Sequence, residues 1–108
     1  MLARSLAAAL CLVSWASTAD AHDWYSNLVS PSGEPCCDGR DCRPVESRYN
    51  PQSRRLELGI DGVWAPVDPG KVLPIPSADG NAHACFARLW RKGEMTPLFR
   101  CIILPGEA

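Results

Sequence analysis

Two histidines and five cysteines hold most of the chemistry this sequence can offer. His22 follows Ala19-Asp20-Ala21, a small-x-small cleavage signal that closes an apolar run from Leu6 to Trp15 headed by Arg4. Cleavage there gives His22 a free α-amino group beside its imidazole. The amine nitrogen and ring Nδ1 then form a bidentate clasp, and His83 would add the third nitrogen of a planar site suited to Cu(II). His22 and His83 are therefore the candidate metal ligands, with copper as the candidate cofactor. The competing reading has no cofactor: His22 merely follows the cut, and His83 packs or hydrogen-bonds at a strand end.

The sixth cysteine, Cys11, leaves with the leader, so the exported chain keeps Cys36, Cys37, Cys42, Cys85 and Cys101. An odd number leaves one thiol over, and two bridges among five cysteines allow about fifteen arrangements. Cys36 and Cys37 could join each other only through a strained ring, so they should find different partners. We expect the 36–42 cluster to be tied to the two later apolar segments. A bridge to Cys85 closes about 44 residues, which chain entropy values at ~4 kcal/mol. A zinc site from Cys36, Cys37, Cys42 and Cys85 is the rival reading, and an oxidising compartment disfavours it. His83 and Cys85 share a strand face, so a free Cys85 could act as a thiolate ligand or in a Cys-His nucleophilic pair; a disulfide at Cys85 removes both uses.

The leader sets the compartment. Its apolar run is about ten residues, against ~20 for a bilayer-spanning helix, so no stable membrane anchor is expected after cleavage. Leu10 before Cys11 does not suit lipoprotein processing. The expected organisation is a cleavable signal at 1–21 and one exported domain at 22–108, periplasmic or secreted. Cleavage removes Arg4 and Asp20 and leaves ten basic against eleven acidic residues. The basic ones are scattered, so nucleic acid is not an expected partner. A domain of this size gains only limited stability from its core, which gives disulfide staples a purpose.

The elements that must position these groups are short. Residues 30–44 hold Pro31, Gly33, Pro35, Gly39 and Pro44 with three cysteines and read as a cross-linked loop. Val45 to Tyr49 can extend as a strand. In Arg54 to Val67, Leu56, Leu58 and Ile60 alternate with polar residues or glycine, Asp61-Gly62 supplies a turn, and Val63, Ala65 and Val67 alternate again, which predicts a β-hairpin. Pro66 to Asp79 should run extended with few ladder bonds, followed by a turn at Asp79-Gly80. His83–Leu89 and Leu98–Leu104 are the last apolar segments, separated by an expected loop containing Gly93 and Pro97. The second reads as an interior strand. The expected fold is mainly β: a small disulfide-stapled sandwich or partly open barrel with long Pro/Gly-rich loops and little helix.

Trp24, Tyr25 and Trp64 are candidate contact aromatics, and Trp90 is a fourth large ring; all of them also suit a small core. Asp38 and Asp41 fit turns better than a catalytic pair. There is no Ser-His-Asp elbow, phosphate-cradling glycine loop or zinc-protease helix, so no catalytic residue is assigned.

His22-Asp23-Trp24-Tyr25, Cys36-Cys37 with Asp41-Cys42 and Pro44-Val45, Pro76-Ser77-Ala78-Asp79-Gly80 leading to His83-Ala84-Cys85-Phe86, and Cys101-Ile102-Ile103-Leu104-Pro105 span nearly all of the exported chain. Together they resemble a group of small exported cysteine-containing bacterial proteins of uncharacterised function. The likeness implies a shared exported fold and no particular activity. The expected function is thus an exported, disulfide-stabilised binding or structural module with a partner in the cell envelope or outside the cell. Copper binding through His22 and His83 is the alternative.

Overall fold

A computed structural model describes residues 24–106. The expected signal peptide and His22 lie outside the described residues. Five strands, β1 (Asp41–Asn50), β2 (Arg55–Ile60), β3 (Val63–Pro66), β4 (Ala82–Arg91) and β5 (Glu94–Ile103), form one antiparallel sheet in the order β3-β2-β1-β4-β5. The sheet curls until β3 touches β5, making a half-barrel. Of the two expected architectures, this is the partly open barrel.

The β2–β3 hairpin forms where alternation predicts it. Asp61 and Gly62 both take left-handed backbone, φ 53° and 82°, and Ile60 pairs with Val63 across them. A two-residue turn of that kind matches the twist of its flanking strands. Lys92 and Gly93 repeat the arrangement at φ 54° and 78° between β4 and β5. The expected loop containing Gly93 and Pro97 is therefore a tight turn, and Pro97 lies within β5 opposite Arg88. Proline is tolerated there because β5 is the last strand of the sheet and its nitrogen has no ladder bond to give. Likewise Cys42 and Pro44, expected in a loop, belong to β1.

Two apolar clusters lie on opposite faces of the β4 segment 82–86. Ala82, Ala84 and Phe86 join Leu58, Ile60, Met95 and Ile102 inside the curl. Cys85 joins Tyr25, Cys36, Leu73, Cys101 and Ile103 on the other face. Phe86, Leu58, Ile60, Ile102 and Ile103 are fully buried, and each such side chain contributes about 1.5–3 kcal/mol through burial. A register shift between Cys85 and Phe86 keeps both faces consistent. Cys85 pairs with Cys101 but Phe86 pairs with Phe99, so Arg100 is the extra residue of a bulge. The shift stacks Phe99 edge-on against Phe86, with centroids 6.4 Å apart, and lets Arg100 reach the carbonyl of Pro35 at 2.9 Å.

The 101–103 run is buried although β5 ends the ladder. The chain after a short 3-10 turn (Pro69–Lys71) lies along its outer side: Val72 bridges Ile102, and Leu73 N–H donates to the Ile102 carbonyl at 2.8 Å. Ser77 N–H donates to the Leu104 carbonyl at 2.9 Å. The interior character expected of this segment is thus supplied by covering chain rather than by a sixth strand. Cys36–Cys101 and Cys42–Cys85 are the disulfides, and they tie the 36–42 cluster to β5 and β4 as expected.

Candidate functional site

His83 occupies β4 opposite Pro44 of β1, on the face away from the curl. The turn at Gly80, whose φ is +79°, brings Asp79 back beneath the start of β4. Asp79 accepts from the Asn81 N–H at 2.9 Å, which shapes that turn. Both of its oxygens then lie 2.9 Å from His83 Nε2. On the other side of the ring, Nδ1 lies 2.7 Å from the Tyr25 hydroxyl.

These partners fix the protons. Asp79 is held down at about 2, first by its bond to His83 and then by the Asn81 amide. An ionised carboxylate only accepts, so Nε2 carries the ring proton. In the neutral ring, Nδ1 is then the acceptor and Tyr25 the donor. Burial, with the Asp79 charge next, pushes Tyr25 up to about 12, so the phenol keeps its proton. His83, only 4% exposed, has both ring nitrogens satisfied.

Trp24 and Tyr25 come from a helical segment at residues 24–26. The Trp24 ring packs 4.7 Å from that of His83 and edge-on at 4.8 Å from that of Tyr25. Trp24, Tyr25, Pro44, Ala78, Asp79 and His83 line a cleft of about 250 Å³. Its walls are mainly apolar, while the Asp79 side chain is 49% exposed at the rim. Oδ1 of Asp79 serves both His83 and the Asn81 amide, Oδ2 also lies 2.9 Å from His83 Nε2, and the Asn81 side chain adds to the bonds that hold the carboxylate ionised.

The structure thus gathers three of the residues singled out from the sequence, His83, Tyr25 and Trp24. It adds Asp79 and Pro44, which sequence reasoning left out of the site. The available signal was the position of Asp79 four residues before His83 across a glycine turn. Trp64 lies elsewhere, on the outer face of β3, with the Arg48 guanidinium 4.2 Å over its ring. Trp90 is exposed. Asp41 is a strand residue whose carboxylate accepts from Arg88 at 3.1 Å.

Beside this cleft, Cys37 is the one free thiol among the described cysteines, and burial pushes it up. The sulfurs of Cys37, Cys42 and Cys85 lie within 4.8 Å of one another. Cys42 and Cys85 are joined to each other, so neither is a thiolate donor in this state. Cys36, the fourth member of the zinc reading, is bonded to Cys101. With Cys85 in a disulfide, it offers no nucleophile beside His83 either. Two disulfides fit an oxidising, non-cytoplasmic setting. No helix among the described residues is long and apolar enough to cross a membrane.

No protein-family model, curated protein or solved structure matches this chain. The site is therefore read from its geometry.

Proposed function

We propose that this protein is an exported, disulfide-stapled binding module, acting in the cell envelope or outside the cell, and that the Trp24–Pro44–Ala78 cleft holds its ligand. The observation that carries this reading is the Tyr25–His83–Asp79 chain beneath an apolar cleft. One buried hydroxyl and one half-exposed carboxylate hold the buried ring rigid, and that ionised carboxylate stands at the rim. A preformed apolar pocket with a few convergent polar groups is the usual form of a small-ligand site. Apolar walls with a negative rim favour an occupant that has an apolar body and a cationic head. The scale of the cleft suits a single ring or a short side chain.

The copper reading draws on the same histidine and makes a different demand. A metal at His83 must displace either the Tyr25 hydroxyl or the Asp79 carboxylate, since both ring nitrogens are engaged.

Benzylamine, benzyl alcohol and benzoate, titrated into isotopically labelled protein, test the proposal. Benzylamine should shift the Trp24 indole and His83 ring signals at the lowest concentration and benzoate at the highest. Asp79→Asn should remove the preference for the amine. The same weak response to all three, or shifts that bypass Trp24 and His83, would refute the cleft as a binding site.

A further inference from the structure

Cys42, Cys85 and Cys101 stand opposite one another on β1, β4 and β5. Cys85 therefore sits in the middle of a row of three cysteines on neighbouring strands. Cys37, left unbonded, approaches this row from the preceding loop. Its Sγ is 2.8 Å from that of Cys42, closer than two unbonded sulfurs ordinarily rest. The three sulfurs form a chain in which Cys42 is the middle member, bonded to Cys85 and in contact with Cys37. Reacting atoms held within about 3–3.5 Å are in near-attack range.

We propose that Cys37 is the nucleophile of an intramolecular thiol–disulfide exchange. The Cys37 thiolate attacks Sγ of Cys42. A Cys37–Cys42 bond forms, the Cys42–Cys85 bond breaks, and the electron pair leaves on Cys85, which takes up the proton that Cys37 released. One thiol and two disulfides exist before and after, so the step needs no outside oxidant or reductant. Exchange replaces a staple across 43 residues with one across five. It unlinks β1 from β4 next to the Pro44–His83 wall of the cleft and leaves Cys36–Cys101 intact.

The experiment locates the free thiol. Protein is incubated at mildly alkaline pH, then quenched in acid and unfolded with a maleimide present, and the labelled peptide is identified by mass. The label should move from Cys37 toward Cys85 as incubation lengthens. Label on Cys37 alone at every time would overturn the proposal. So would label on Cys85 in Cys37→Ser, which has no attacking thiol. In a second variant, Cys85→Ser, treated with oxidised glutathione to accept the two electrons, the remaining pair should close as Cys37–Cys42 and take no label. A Cys85→Ser protein with native circular dichroism and label on both Cys37 and Cys42 would also overturn it. The Cys37→Ser and wild-type comparison decides the matter if Cys85→Ser does not fold.

Discussion

The Tyr25 hydroxyl and His83 Nδ1, 58 positions apart in the chain, meet at 2.7 Å inside the second apolar cluster. This bond joins the helical segment at residues 24–26 to β4. In the neutral ring it also fixes a single tautomer, because Asp79 accepts from the other nitrogen.

Tyr25→Phe keeps the ring packing but strands Nδ1 without a donor. A buried acceptor left unpaired costs about 1–3 kcal/mol. Urea unfolding should show a loss of that size. Tyr49→Phe, at a site 60% exposed, should leave the midpoint nearly unchanged.

Acid and alkali should each weaken the fold through identifiable groups. Asp79 and Asp61 are both lowered from 3.8 to about 2. For Asp61 the causes are its bonds to Arg88 and Arg43, at 2.6 Å each. Groups with depressed folded values stabilise above their unfolded values, and that stability disappears as pH falls through about 4 to 2. Tyr25 is raised from 10.0 to about 12 by burial. Its contribution is complete below 10 and is lost as pH rises toward 12. Thermal midpoints across pH should therefore fall at both ends. Asp61→Asn should flatten the acid limb, and Tyr25→Phe the alkaline one.

Cys36–Cys101 spans 65 positions. Replacing both cysteines by alanine frees the unfolded chain, and removing a native bridge from a small domain costs about 2–5 kcal/mol. Denaturant unfolding should show a loss in that range. It should also show a steeper dependence on denaturant, because the unfolded state becomes less compact.

The hairpin was legible because Leu56, Leu58 and Ile60 alternate and Asp61-Gly62 supplies two left-handed residues. The linkage of the 36–42 cluster to the last two strands was legible from cysteine arithmetic and the geometry of adjacent residues. Pro97 was misread as loop, since proline excludes a strand only where its missing proton is needed, and strand order is not local information. The cleft was the least visible part. Tyr25, Pro44 and the Asp79–His83 turn come from three separate segments, and nothing near Tyr25 in sequence announces His83. The bulge at Arg100 was likewise invisible, because one inserted residue changes pairing without changing the apolar pattern.

The chain laid along β5 has an effect reaching past this one molecule. An uncovered strand flank is a template on which a second copy can add its own backbone. Val72, Leu73 and Ser77 occupy that flank from Ile102 to Pro105, Pro97 interrupts it further back, and at the opposite margin β3 is only four residues long and ends in Pro66. Both sides are thereby poor seeds for filament growth, a useful property in a protein built mainly of strands and carrying a free thiol.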